Sequence, residues 1–375
     1  MRFRFNNDKW AEYPNSVLFS ISSKKNHDGK ESLVLSASQE KGMIPRNKNG
    51  IDIKYSEESV FTYKIIENGD YVIHLRSFQG GFAFSRFNGI CSPAYTVLKP
   101  NKEILSNGFL ENYFTSKKFI DSLRTVTFGI RDGKSISVDQ WMTQSLFIPS
   151  KNEQEKIIAF IQKINSRIEV QNKIISDLKV LKKELCNKVF SKGSVVRLGD
   201  FIEEVTTRNK SNSCENVLSV SNKMGFIKQS EQFEDRTVAS ENKSNYKVVT
   251  EGCFAYNPAR INVGSIALLS TYKIGIISPM YVCFKTKNTL NSEYLNFYYQ
   301  SGFFYKELQK KLEGSVRQCL TYKNMSDILI PYVDIEKQKA IAATLNKFAT
   351  LIANEEKYLK LLQKQKSYFL NAMFV

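Results

Sequence analysis

From Glu153 to Phe190 the chain has neither Gly nor Pro, and apolar residues recur in steps of four and three at Ile157, Ile161, Ile164, Ile168, Ile175, Leu178, Leu185 and Val189. That spacing predicts an amphipathic helix with a coiled-coil seam about five heptads long. The pattern returns 184 residues later, at Ile341, Leu345, Phe348, Ile352, Leu359, Leu362, Phe369 and Met373. Polar residues interrupt the first seam at Gln171 and Lys182 and the second at Glu355 and Lys366, which are equivalent places. With about 1.5 Å of rise per residue, each helix would be a rod of about 57 Å, long enough to act as a spacer.

The remaining segments, residues 1–147 and 195–329, are rich in β-branched and aromatic residues and punctuated by NG, GG and DG. They predict many short strands with one or two helices in each half. LNSEYLNFYYQSGFFYKELQKKL (290–312) has helical apolar spacing, and FLENYFTSKKFIDSLR (109–124) is its counterpart, with Asn107 or Ser106 as a candidate cap. The halves align beyond their helices. LSASQEKGMI (35–44) matches LSVSNKMGFI (218–227), YKIIENGDY (63–71) matches YKVVTEGCF (246–254), and GICSPAY (89–95) matches GIISPMY (275–281). Four segments in one order, including an Ile-Pro before each long helix (Ile148-Pro149 and Ile330-Pro331), mark an internal duplication. In the heptapeptide, Ser-Pro is expected to set a turn at the entry to a central strand, with Tyr95 and Tyr281 packing there or touching a bound partner.

Two equivalent helices in one chain can be related by an internal two-fold only if they run antiparallel. The expected fold is therefore α+β: two pseudo-two-fold-related β-rich domains joined by two long helices that form an antiparallel coiled coil. The expected boundaries are 1–150 and 193–332 for the domains, and 151–192 and 333–375 for the helices. The polar interruptions suggest a register in which Lys182 meets Glu355 and Gln171 meets Lys366, specifying alignment at some cost in stability.

Composition narrows the function. The 375 residues exceed the size at which one core normally stops growing. Lys and Arg total 54 against 37 Asp and Glu, a formal charge of +17, which points to an acidic partner such as nucleic acid or an anionic membrane. Apolar runs are short, and MRFRFNNDKW lacks the apolar segment of a signal peptide, so a cytoplasmic protein without a membrane partner is expected. The six cysteines stand singly, without CxxC pairs and with only His27 and His74 to supplement them, which suits reduced apolar thiols and no metal site. His74, in the strand-like VIHLRS, reads as packed or hydrogen-bonded.

Two β-rich units, each followed by Ile-Pro, a Glu/Gln-rich helix start (NEQEKIIAFI, 152–161; EKQKAIAATL, 336–345) and a heptad helix, resemble the specificity subunits of type I restriction-modification enzymes. The resemblance spans essentially the whole chain, with Lys337 standing where the first helix has a Glu. It implies a non-catalytic reader of a split sequence in double-stranded DNA, with one target-recognition domain per half-site and the helices setting the gap. It further implies two methyltransferase subunits, which use S-adenosylmethionine to methylate adenine, and restriction subunits, which use ATP and Mg2+. No cofactor is implied for this chain.

A DNA reader needs cations for phosphates and Arg, Lys, Asn or Gln on loops for base edges. HLRSFQGG offers Arg76 and Gln79, and TFGIRDGKS offers Arg131 and Lys134. NPARINVG offers Arg260 and Asn262, and EGSVRQCLTYK offers Arg317, Gln318 and Lys323. Arg76 with Arg260, and Arg131 with Arg317, recur in the two copies. Two other readings compete: a single-chain DNA methyltransferase, and a coiled-coil scaffold with non-specific DNA affinity. The first needs an Asn/Asp-Pro-Pro-aromatic motif; YNPAR (256–260) lacks the second Pro and the aromatic and reads as a turn. No Walker loop or HExxH is present.

Overall fold

A computed structural model describes all residues except 1–9, 39–40, 49–56, 130–133, 223, 233–242, 315–317 and 375. The chain divides into two units, one comprising residues 1–172 and 357–375, the other residues 173–356. Each unit contains a β-rich domain, part of the first long helix and part of the second.

The two units are built on one plan. In the first, a four-stranded antiparallel sheet runs Phe19–Ser22, Thr96–Pro100, Tyr71–Ile73, Ala83–Phe84. In the second the same order is Ile202–Glu204, Val282–Thr286, Phe254–Tyr256, Ile266–Leu268. Lys64–Ile66 pairs with Gly89–Cys91, as Lys247–Thr250 pairs with Ile274–Ile277. The hairpin of Leu35–Ser38 and Gly42–Pro45 corresponds to that of Val217–Ser221 and Gly225–Lys228. A ribbon of Ala11–Pro14 with Ser145–Ile148 feeds the first long helix, and one of Ser194–Arg197 with Leu329–Tyr332 feeds the second. The expected α+β architecture is present.

The repeated heptapeptide joins the two sheets of its unit. Gly89–Cys91 ends one sheet, Tyr95 N–H closes a turn onto Ser92 O at 3.0 Å, and Thr96–Pro100 enters the other sheet as an interior strand. In the second unit Tyr281 N–H reaches Ser278 O at 3.1 Å between Ile274–Ile277 and Val282–Thr286. A lysine locks each turn from outside. Lys64 Nζ donates to Tyr95 O at 2.5 Å, and Lys247 Nζ donates to Tyr281 O at 2.9 Å.

The long helices are Lys151–Phe190 and Ile335–Met373. Every seam position named from the sequence, polar interruptions included, is buried or half-buried. Within the first unit, the start of the first helix lies against the end of the second: Ile157 and Ile161 share a core with Leu370, Met373 and Phe374, and Phe160 meets Phe369 edge-on at 5.0 Å. Within the second unit, Cys186 and Phe190 share a core with Ala342 and Leu345, and Lys179 pairs with Glu356 at 2.6 Å. In both units early residues of one helix meet late residues of the other, so the segments run antiparallel.

The two lysines of the expected polar layers reach side chains of their own unit. Lys182 Nζ donates to Gln300 Oε1 at 3.3 Å and lies 5.1 Å over the Phe297 ring. Lys366, at the equivalent place, is attracted by the Glu111 carboxylate. Burial holds both ammonium groups below the usual lysine range; Cys186 opposes this for Lys182 and Glu111 for Lys366. A lysine stem in a helix seam can lay its methylenes on the neighbouring domain and carry its charge out of the seam.

The helices expected at 290–312 and 109–124 are each broken in two. Ser301 caps Gly302–Lys311 by accepting from Phe304 N–H, which separates it from Ser292–Tyr299. Ser116 likewise caps Lys117–Ser122 by accepting from Phe119 N–H, separating it from Glu111–Phe114. A serine that satisfies a free backbone donor starts a new helix despite continuous apolar spacing. Neither Asn107 nor Ser106 caps the first of these, which begins after Leu110 without a side-chain cap. Ser106 N–H is committed instead to Gln154 Oε1 at 2.8 Å.

That bond explains the Gln at each long-helix start. Gln154 is fully buried; its Nε2 donates to Ile104 O at 2.8 Å and Pro149 O at 2.9 Å. Gln338 is also fully buried, donating to Val333 O at 2.8 Å and Thr289 O at 3.3 Å and accepting from Asn291 N–H at 2.8 Å. Each amide pins a helix start to a loop of its own domain. The preceding residue differs for a local reason: Glu153 is buried and accepts from Trp10 Nε1 at 3.3 Å, whereas Lys337 is exposed and pairs with Asp334 at 2.7 Å.

Candidate nucleic-acid interface

Arg76 and Arg260 occupy equivalent turns. Each follows an interior sheet strand, Tyr71–Ile73 or Phe254–Tyr256, and each immediately precedes a short helical turn, Ser77–Gly80 or Ile261–Val263. Both arginines are exposed. A buried or half-buried polar residue organises each turn by accepting a backbone N–H two residues on. His74 Nδ1 accepts from Arg76 N–H at 3.3 Å, and Asn257 Oδ1 accepts from Ala259 N–H at 3.0 Å. Burial pushes the His74 imidazole down to about 4, against a smaller opposing effect of the Gly81 backbone, so the ring is neutral and free to accept. His74 is thus hydrogen-bonded, as expected. Asn257, the residue of interest in YNPAR, is spent on its own turn.

A glycine of positive φ closes each turn, Gly81 at +74° and Gly264 at +89°. A Cβ at Gly81 would sit 1.8 Å from Phe114 O, so this position admits no side chain. Gln79 is exposed and Asn262 half-buried on these turns.

The second predicted loop of each half is a narrow hairpin. Thr127–Phe128 pairs with Ser135–Ile136, and Glu313 exchanges backbone bonds with Cys319 at 3.0 and 2.8 Å. Arg131 and Arg317 lie outside the described residues. Lys134 and Gln318 are exposed. The turn carrying Arg76 and Gln79 packs on the Ser135–Ile136 strand, and Leu320 N–H bonds Pro258 O at 3.1 Å, so each unit gathers its two predicted loops. Lys323 is exposed on Tyr322–Ser326, a helix that packs chiefly on Leu198–Phe201.

In the second unit the Arg260 turn borders a cleft of about 580 Å³. Its lining includes Asn222, Met224, Asn262, Asn296, Gln300 and Tyr305. Met224 is 75% exposed and Tyr305 54%, so the rim presents a large apolar and an aromatic side chain above amides. Except for Asn262, the sequence reading missed these residues. They come from segments up to 83 residues apart (222 and 305), and the one local signal was the glycine of L-S-x-S-x-x-x-G, which places Met224 at a hairpin turn.

Among the described residues, no group of three or more His, Cys, Asp or Glu is placed to hold a metal, and no helix is long and apolar enough to cross a membrane. All six cysteines are free thiols. Burial pushes Cys91 and Cys283 up to about 12, the behaviour of inert packed groups.

Residues 191–364 match the family model described as the type I restriction modification DNA specificity domain. No curated protein sequence matches the chain. Among solved structures, one from a study of complex assembly and conformational transition of the type I R-M system is 16% identical, with a TM-score of 0.58 over 99% of both chains. The S subunit of a type I restriction-modification system from M. genitalium is 13% identical, with a TM-score of 0.58 over 100% of this chain and 98% of the other. The HsdS subunit from Thermoanaerobacter tengcongensis is 15% identical, with a TM-score of 0.50 over 98% and 96%. The second half of the chain is thus matched in sequence to the type I restriction modification DNA specificity domain, its first half repeats the same strand order, and its whole length is similar in fold to these structures.

Proposed function

We propose that this chain is the DNA-reading subunit of a type I restriction-modification complex, recognising a split target with one domain per half-site. The carrying observation is the duplicated arginine turn: Arg76 and Arg260 stand exposed at equivalent places in two units of one design, each beside a second loop with a polar or basic side chain. A duplicated reader suits a two-part sequence, and the long helices suit a fixed gap. The chain itself carries out no chemistry in this reading. Methyltransferase subunits, two per complex, supply S-adenosylmethionine-dependent adenine methylation, and restriction subunits supply ATP- and Mg2+-dependent cleavage in the cytoplasm. Arg76, Gln79, Arg131 and Lys134 would serve one half-site, and Arg260, Asn262, Arg317, Gln318 and Lys323 the other.

The test is to map methylated adenines in DNA from cells co-expressing this chain with its methyltransferase. A bipartite motif with a fixed gap is expected. Arg260→Ala should relax only one half of that motif and weaken binding roughly 10- to 100-fold, the value of a lost bidentate base contact of about 1–3 kcal/mol. A motif without a gap, or one unchanged by both Arg260→Ala and Arg76→Ala, would reject the reading.

A further inference from the structure

A second basic loop recurs in both units. Residues 24–31 read KKNHDGKE and residues 207–214 read TRNKSNSC, so only the asparagine at the third place is shared. That asparagine is the most buried residue of each loop, Asn26 at 0% and Asn209 at 2% exposure. Asn26 Nδ2 donates to Glu31 O at 2.8 Å and its Oδ1 accepts from Glu31 N–H at 3.2 Å. Asn209 does the same with Cys214, at 2.9 and 3.2 Å. Both loops turn through a residue of positive φ at the same place, Gly29 at +65° and Asn212 at +51°. The result is a loop whose backbone is closed by an internal amide and whose other side chains take no part in that closure; Arg208 Nη1 donates outside the loop, to Asn245 O at 3.1 Å.

Those side chains are cationic in both copies. Lys24, Lys25 and Lys30 are exposed in the first loop, Arg208 and Lys210 in the second. The closed loop does not itself require them, since the asparagine makes every closing bond. In the first unit, Asp28 pairs with Lys30 at 3.0 Å and Glu67 pairs with Lys99 at 3.0 Å, and Lys24 and Lys25 line a cleft of about 850 Å³ together with Glu31 and Glu67. Residues 207–214 contain no carboxylate.

The loops also lie on the side of each unit that the repeated heptapeptide organises. Lys25 bridges Lys64 along the backbone, Lys64 Nζ holds Tyr95 O, and the Tyr95 ring meets His74, which organises the Arg76 turn, with centroids 6.2 Å apart. In the second unit Arg208 bridges Lys247, which holds Tyr281 O. We propose that residues 24–31 and 207–214 are paired phosphate clamps, which hold the DNA backbone at each half-site while other loops read the bases. This rests on the DNA-reading function proposed above. Phosphate contacts orient a protein on the duplex without conveying sequence, so a fixed frame with interchangeable cations is the expected design.

The experiment uses the full chain with the double substitution Arg208→Gln and Lys210→Gln, both at exposed positions. Affinity for a mixed-sequence duplex is measured across a salt series, and the methylation motif is mapped in co-expressing cells. The slope of log affinity against log salt should fall by about 1–2, since each released phosphate contact is worth about 0.9. Affinity should drop several-fold on every sequence, and both halves of the motif should stay as they were. A variant restoring charge alone, Arg208→Lys with Lys210 intact, should recover the slope. An unchanged slope would overturn the clamp, and so would a changed base preference in one half, which would make the loop a base reader. A wild-type chain giving no bipartite motif would instead reject the DNA-reading function, and the salt slope would still report on the loop.

Discussion

The first unit fills its core with an aromatic pile in which Trp141 meets Phe82 at 4.9 Å and Phe114 meets Phe119 at 4.6 Å. The second builds more of its core from tyrosines: Tyr294 and Tyr298 flank Phe190 at 5.1 and 5.5 Å and donate their hydroxyls to Pro331 O and Leu329 O. Against this drift, directional bonds recur almost atom for atom. Gln154 and Gln338 make the same three bonds, Lys64 and Lys247 hold the same carbonyl, and Asn26 and Asn209 close the same loop. The difference follows from the physics of each contact. Apolar volume can be exchanged among several side chains with little loss, whereas a buried backbone group accepts few substitutes for its partner.

The largest way to break the comparison is in the part that drifted. Trp141 is 1% exposed, and Trp141→Ala removes the centre of the first unit's pile, at a cost of about 3–5 kcal/mol. Hydrogen exchange resolved by peptide should show protection lost throughout residues 60–148 while residues 200–330 stay protected. Equal loss in both would mean that the units do not hold their stability separately.

A smaller but sharper test addresses what recurs. Gln154→Ala and Gln338→Ala each strand a buried backbone N–H and two carbonyls at a long-helix start, and each should cost about 2–3 kcal/mol by chemical denaturation. The two costs should agree closely because the bonded groups are the same. A large difference would show that water replaces the amide in one unit, and equivalence of geometry would then not be equivalence of energy.

The sequence disclosed some levels of this structure and hid others for identifiable reasons. Both long helices were legible because a seam repeated over many turns leaves a periodic record, and each named seam residue is buried or half-buried. The heptapeptide turn was legible because Ser-Pro-x-Tyr has a local geometry. The bond from Lys182 to Gln300 was not, because a heptad position specifies a face and not every neighbour a long side chain chooses. The break at Ser301 was hidden because one cap bond outweighs an apolar spacing that runs through it. Of the candidate site, the arginine turns were found through their glycines, while the cleft beside Arg260 could not be, since its lining comes from separated strands and helices. The clamp loops were missed because the shared element is a single asparagine among dissimilar neighbours.

The smallest expected effect concerns those loops. Asn212, at φ +51°, is the one described non-glycine residue of positive φ, and its counterpart is Gly29. Asn tolerates the left-handed region better than other side chains, and glycine there relieves strain but loses more entropy on folding. Asn212→Gly should therefore change stability by no more than about 0.5 kcal/mol in either direction. Gly29→Asn is not its mirror image, because a Cβ at Gly29 would stand 2.8 Å from Phe61 Cε1. Phe61 is 50% exposed and can swing aside, so the cost should be about 1 kcal/mol, read as a shift in the denaturation midpoint at constant slope. If Asn212→Gly leaves stability unchanged yet weakens DNA binding on every sequence, the Asn212 amide itself touches the duplex backbone, and the two clamps differ in how many groups they present.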